Sequence, residues 1–523
     1  MSDRESVVHK EFHSRGTEVN SGARCTRFLL LLIVAVGGAL RFYGLDLQSL
    51  WLDELLNWQM CSHGTLAEVI EAAHSIDRGP PGYHLLVFHV MQFLGDSEVA
   101  LRFPSAVAGV LAIPMVYLVG EQFYSRREGL VAAVLMALSI TPVHYSQEAR
   151  AYALLVLLVL VSFYFWFRLL RALEAGDRPQ WWVQAGYVAS AIATEYLHYF
   201  GILVIVLQGM ALVAIFARRP RALARVVALG VPVGVTLLLA LPALVHDTTL
   251  TNPWIPDPSL DSARKAWRFF FRRPGDLYQL TALVCAVYLA RAIWSARRLP
   301  HLSTRSVVTS PTFIVVLWLV LPFTFAFAWS KLASPILTDR YLLVSLPAAY
   351  LLLARAIVHT VPHPRAWAVV IAALAATLLY GLVVSRSYYA AVHKDQYREA
   401  AALVAQHEKQ YPDAAILADG GYEYYLRRFN ALDRTTTLND RESRREQVAR
   451  LLDRERPRHV WVLSGHNQAE EELLDAFTSD YRLLQHEALV GAWVHFYERV
   501  RGPGGARSPR EKEESISLPV FSS

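Results

Sequence analysis

Cysteine is scarce in this sequence: Cys25, Cys61 and Cys285 are the only three among 523 residues, and they lie far apart. Such spacing supplies neither a disulfide framework nor a metal-ligand pair, and the lack of an HExxH motif and of any closely spaced His/Cys set speaks against structural zinc. Charge is sparse as well. Asp, Glu, Lys and Arg make up 18% of the chain, against about a quarter in ordinary soluble domains. No internal repeat is visible, whereas transporters often show paired halves. No small-residue cleavage site follows the first apolar run, which reads as a retained helix rather than a signal peptide.

What the chain has instead is apolar length. Hydrophobic residues account for 54% of it, and runs long enough to cross a bilayer, about 20 residues, recur from Phe28 to Val384. We read spans at 28–45, 103–120, 129–146, 151–167, 181–197, 199–217, 226–245, 277–295, 312–329, 341–361 and 366–384. The fold class is therefore an all-α polytopic membrane protein with about 11 transmembrane helices. The run YHLLVFHVMQFL, 83–94, holds twelve residues and two histidines. It is too short to cross and suits a helix lying in the interface.

The excess of basic residues over cytoplasmic loops orients the chain. With the N-terminus inside, the five inner loops carry Arg126–Arg127, then Arg168, Arg171 and Arg178, then Arg218 to Arg225, then Arg297, Arg298 and Arg305, then Arg365. One outer loop, DSARKAWRFFFRRPGD (261–276), is also basic. It reads either as an amphipathic helix snorkelling its cations or as a contact for lipid phosphate. The formal charge of +6 fits such loops and is no argument for nucleic acid. Residues 1–27 form a polar cytoplasmic tail. Residues 387–500 alternate charged helical patterns (395–408, 441–454, 467–477) with short strands (414–418, 459–463, 492–498), the pattern of a small α/β domain, which eleven spans place outside. Residues 501–523 are poor in apolar side chains and read as disordered.

On this topology every unusual polar cluster falls on one outer face. SLWLDELLNWQ puts Asp53 and Glu54 after span one, and HYSQEARAY puts Gln147, Glu148, Arg150 and Tyr152 between spans three and four. TEYLHYFG puts His198 and Tyr199 between spans five and six, and SKLASPILTDRY puts Arg340 and Tyr341 between nine and ten. Each has a bland alternative: a helix N-cap for the Asp–Glu pair, a surface ion pair for Glu148 and Arg150, an aromatic belt or a helix-end anchor for the others. Ionisable residues at membrane depth are costly and usually line a cavity, so their coincidence points to one site.

In their order, SLWLDE, RGPPGYHLL, GDSEVALRFPSAVAGVLAIPMVYLVG, HYSQEARAYALL, HYFG and TDRYLLVSLPA resemble the family 39 glycosyltransferases. These are GT-C-fold membrane enzymes related to protein O-mannosyltransferases and to the lipid A aminoarabinose transferase. The similarity covers roughly 28–361. It implies a transmembrane glycosyltransferase domain, 28–386, with a catalytic outer loop at 46–102. It also implies a polyprenyl-phosphate sugar donor, a lipid, glycan or protein acceptor, and transfer on the extracytoplasmic side of the cell membrane. By motif the catalytic acid falls on Asp53 and the second acidic position on Glu54. The QEAR loop and the Arg–Tyr pair fall on Gln147 to Arg150 and on Arg340–Tyr341. Members often carry a basic residue directly before Pro-Pro. Here Arg78 precedes Gly79–Pro80–Pro81, and the inserted Gly separates it from that place.

The residue chemistry agrees. A sugar leaving a phosphodiester releases a phosphate anion, which needs its charge held, and Arg offers a planar, always-ionised fork. An acceptor hydroxyl needs a base as it attacks. Asp53 is the expected base, with Glu54 and Glu148 beside it as acidic candidates. Arg150, Arg340 and Arg78 are the expected phosphate ligands, with Tyr341 packing on the isoprenoid or the sugar. Gln147, Tyr152, His198 and Tyr199 are the expected cavity residues. No organic cofactor is called for. Asp53, Glu54 and Glu148 are hard oxygen ligands that suit Mg²⁺ or Mn²⁺, so metal dependence stays open, with a metal-independent site favoured. The competing reading is a transporter or flippase of lipid-linked sugar.

Overall fold

The computed structural model describes residues 24–62, 64–249, 255–259, 261–271, 277–297, 310–361, 363–438, 443–465, 477 and 480–500. The expected tails at 1–23 and 501–523 and most of the expected helix at 467–477 lie outside them. The chain divides into two units, one of Met1–Leu47 with Leu56–Ala391, the other of Gln48–Leu55 with Val392–Ser523.

The first unit is helical. Among the described residues eight helices are long and apolar enough to cross a membrane: Arg24–Phe42, Glu98–Phe123, Tyr152–Ala175, Tyr199–Phe216, Pro220–Asp247, Pro311–Leu332, Asp339–Thr360 and Ala366–Ser385. The expected span at 129–146 is a bent pair, Arg126–Leu138 and Ile140–Ser146, at 58° to each other, which gives a ninth if counted as one crossing. The expected span at 181–197 is the 15-residue helix Trp181–Glu195. The one at 277–295 is the helix Leu277–Arg297, which is not among the eight. Eleven crossings thus require these two as well. The run at 83–94 forms the helix Gly82–Leu94, 13 residues. Of the basic segment, Ser262–Phe270 is a helix.

The bend has a visible cause in Pro142, which has no N–H for the carbonyl of Leu138 and whose ring crowds it. Breaking the ladder at Ser139 frees carbonyls, and in an apolar core these must find donors. Arg41 supplies them: its guanidinium donates to the carbonyls of Met136 (2.6 Å) and Ala137 (3.0 Å), to Gly37 O, and to Ser146 Oγ at 3.1 Å. Gly109 makes room for that cluster, since a Cβ there would sit 2.0 Å from Ser146 Oγ. In return Gln147 Nε2 donates to the carbonyls of Leu40, Arg41 and Tyr43, closing the end of the helix that carries Arg41. Further along, Trp318 stacks on Phe163 at 4.0 Å and donates to Val344 O, while Ser345 Oγ donates to Trp318 O. These bonds fix the 3₁₀ segment Asp339–Ser345, which carries Arg340 and Tyr341.

The second unit is a five-stranded mixed sheet with helices, as the tail's composition indicated. Its strands are β1 (Ala415–Asp419), β2 (Thr435–Leu438), β3 (His459–Gly465), β4 (Tyr481–Leu489) and β5 (Ala492–Arg499), in the order β2-β1-β3-β5-β4. β2, β1 and β3 are parallel, and β5 and β4 continue antiparallel. Both faces are covered. Val460 and Val462 of β3 pack with Val448 and Leu452 of the helix Arg444–Glu455, and on the other face Trp461 and its cross-strand partner Phe496 are covered by His407 (5.5 Å from Trp461) and Tyr411 (4.7 Å from Phe496). That alternation explains why HVWVL reads as a buried strand.

Candidate active site

A cavity of about 400 Å³ lies inside the first unit. Its walls differ in character. Leu241, Leu244, Val245, Phe325 and Trp329 give an apolar flank, while Asp77, Arg78, His84, Arg150 and His198 give a polar pole. Arg78, Arg150, Tyr152, His198, Tyr199 and Tyr341, all nominated from the sequence, line this one space.

Asp77 organises the pole. It ends the π-turn Ala73–Asp77 and accepts from Arg150 Nη2 at 2.8 Å on one oxygen. Its other oxygen lies 3.1 Å from His84 Nε2, and His84 Nδ1 lies 2.6 Å from Asn57 Oδ1. Asn57 in turn donates to Ala149 O at 3.0 Å, next to Arg150. Burial pushes the Asp77 carboxyl up, but Arg150 and the His84 hydrogen bond outweigh it and hold it well below the usual carboxylate range. Asp77 is thus an anion that fixes a guanidinium at the cavity wall. The next residue, Arg78, has a left-handed backbone (φ 52°) before Gly79 and Pro80, an uncommon conformation for a residue with a side chain and one that concentrates at ligand clamps.

The opposite rim is the loop before helix Tyr199–Phe216. His198 caps that helix through Nδ1, which accepts from Phe200 N at 3.2 Å, and its ring meets Tyr341 edge-on at 4.9 Å and Tyr152 at 5.8 Å. Burial, reinforced by Arg150 and Arg340 against the pull of Asp77, pushes the imidazole down to about 4. His198 is therefore neutral at physiological pH, and the positive charge of the pole resides in its arginines. Arg340 bears on the site through this electrostatic reach, although it does not line the cavity. The loop is tied to the other wall by Gly82, whose N–H donates to Tyr196 O at 3.0 Å. A Cβ at Gly82 would stand 2.4 Å from that carbonyl. Gly82→Ala is expected to part the two segments and destabilise the protein by about 1–3 kcal/mol, read as a lower melting temperature in detergent. A wild-type melting temperature would show that the loop gives way freely.

Four further nominated residues do not line this cavity. Gln147 is not a wall of this cavity but the helix-end clamp described above. Glu148 is buried, with Oε1 3.0 Å from His144 Nε2, and likewise does not line the space. Asp53 and Glu54 belong to the second unit. Both lie in the first turn of the helix Leu52–Cys61, Asp53 half-buried. Glu54 is fully buried, 3.0 Å from Lys394 Nζ. Among the described residues, no three His, Cys, Asp or Glu side chains are grouped to hold a metal ion.

Sequence reasoning missed four residues of this picture: Asp77, His84, Lys394 and Asp247. Asp77 sits beside the nominated Arg78, and Asp247 closes the apolar run of helix Pro220–Thr249, a position where a carboxylate is costly. His84 is one of the two histidines of the apolar run 83–94, which the sequence sets only against a membrane crossing, and Lys394 carries no such signal.

The helical unit and the mixed α/β unit have the GT-C fold, as the solved structures below show. Residues 78–246 match the model of a family described as dolichyl-phosphate-mannose-protein mannosyltransferase. Among solved structures, the chain is similar to ArnT from Cupriavidus metallidurans in the apo state, at 15% identity and a TM-score of 0.54, over 89% of this chain and 97% of that one. The same enzyme bound to undecaprenyl phosphate matches at 15% identity and a TM-score of 0.52, with the same coverage. At these identities the likeness shows the fold. No curated protein matches the chain.

Proposed function

We propose that the chain is a membrane glycosyltransferase that moves a sugar from a polyprenyl-phosphate donor to an acceptor on the extracytoplasmic face of the cell membrane. The observation that carries this reading is the two-sided cavity. An apolar flank suits an isoprenoid, and Arg150, oriented by Asp77, with Arg78 suits the phosphate. The ArnT structure with undecaprenyl phosphate supports such a donor for this fold.

The reaction is a single displacement with inversion. The acceptor O–H gives its proton to Asp53 as its oxygen attacks the anomeric carbon. The bond from that carbon to the phosphate oxygen breaks, and its electron pair leaves with the polyprenyl phosphate. Arg150 and Arg78, with Arg340 near His198, hold that anion, so the leaving group needs little protonation. An acceptor that is itself a phosphate is already anionic, and Asp53 then orients it.

The test is transfer by purified protein supplied with polyprenyl-phosphate sugars and an envelope-lipid, glycan or protein acceptor fraction. Sugar from the lipid donor should appear on the acceptor. Efficient use of a soluble nucleotide sugar instead would overturn the donor assignment. A reporter fused after Val384 should be active outside the cytoplasm, and activity confined to the cytoplasm would overturn the orientation.

A further inference from the structure

One carboxylate of the cavity has no part in that mechanism. Asp247 lines the cavity near the end of helix Pro220–Thr249 and is only 3% exposed. Its Oδ2 accepts from Tyr199 Oη at 2.6 Å and lies 3.2 Å from His74 Nδ1. Its Oδ1 is buried as well and has no hydrogen-bond partner among the described residues. A buried acceptor left unsatisfied costs about 1–3 kcal/mol, more when charged, so this oxygen is poised for a donor that arrives with a ligand.

The chemistry of the ligand restricts what that donor can be. An isoprenoid chain has no hydrogen-bond donor, and an ionised phosphodiester offers only acceptors and would be repelled. In a polyprenyl-phosphate sugar the donors are on the sugar. The position of Asp247 agrees with this. Its partner Tyr199 follows His198, which feels Arg150 and Arg340, and its partner His74 shares the π-turn with Asp77, which holds Arg150. Both tethers lead to the phosphate pole, where the sugar is attached.

We propose that Asp247 Oδ1 receives a hydroxyl of the donor's sugar and so determines which sugar the enzyme accepts. The proposal rests on the donor reading above. Tyr199 is the positioning residue, since its hydroxyl occupies Oδ2 and leaves Oδ1 to the ligand.

The experiment is binding by the purified full chain of two kinds of probe: bare undecaprenyl phosphate, and undecaprenyl phosphate loaded with mannose, arabinose or galacturonate. Wild type should bind one loaded lipid more tightly than the bare one. Asp247→Asn, which keeps the shape and an acceptor for Tyr199, should erase roughly ten- to hundredfold of that preference, with affinity for the bare lipid unchanged. The unchanged affinity doubles as the control for folding. Equal loss for bare and loaded lipid, an unaltered preference, or a wild type that prefers no loaded lipid each overturns the assignment of Asp247. A wild type that binds neither lipid overturns the donor reading itself.

Discussion

Asp53→Asn is expected to slow transfer roughly 10²- to 10⁴-fold, the usual loss when a general base is removed, while the protein stays folded and inserted. The substitution is nearly isosteric and takes away the carboxylate that receives the acceptor's proton. Asp53 stands in the first turn of the helix Leu52–Cys61, so an alternative explanation of its presence is interaction with the helix dipole. The two roles separate cleanly. A dipole partner contributes about 0.3–1 kcal/mol, visible as a small fall in melting temperature with turnover intact. A base lost gives the reverse, a normal melt with turnover collapsed. Donor binding by the purified variant completes the test, because a base acting on the acceptor leaves donor affinity where it was. Wild-type turnover in Asp53→Asn would remove Asp53 from the chemistry.

The membrane part of this chain was legible because the bilayer imposes length and apolarity on each helix in isolation, and both are readable residue by residue. The break at Ser139 has a local cause that the reading of one span passed over, Pro142, which has no N–H for the carbonyl of Leu138; the donors for the freed carbonyls come from Arg41, about a hundred residues earlier, and were not legible. The cavity divides the same way. Arg78, Arg150, Tyr152, His198, Tyr199 and Tyr341 stood out as polar or aromatic residues flanking apolar runs, and they meet in one space. Gln147 and Glu148 stood out by the same rule, yet one clamps a helix end and the other faces His144. Flanking a span marks a residue as costly and says nothing of which way it turns. Asp77 and Lys394 show the complementary failure, since their meaning lies in partners at Arg150 and Glu54 that are distant in sequence. In the second unit β3 was plain from its buried alternation. The edge strand β4 was missed because most of RLLQHE is exposed and shows no period of two.

The Glu54–Lys394 pair makes the sharpest stability prediction. Both side chains are removed from solvent, at 0% and 5% exposure, and their charged atoms are 3.0 Å apart. Lys394→Met leaves the buried Glu54 carboxylate without this cation, and breaking such a pair costs about 3–5 kcal/mol, expected as a fall in apparent melting temperature of several degrees. Glu54→Leu alone leaves the ammonium buried and should cost a comparable amount. The double variant Glu54→Leu/Lys394→Met removes both charges at similar volume, and such replacements are often neutral or stabilising, so much of the loss should return. The coupling read from this cycle measures the pair directly. Additive losses in the double variant would show that the two side chains do not depend on each other. Turnover in the double variant then decides what Glu54 is for. If stability and transfer return together, Glu54 is a structural charge and Asp53 acts alone. If stability returns and transfer does not, Glu54 contributes to the reaction as well as to the helix that carries it.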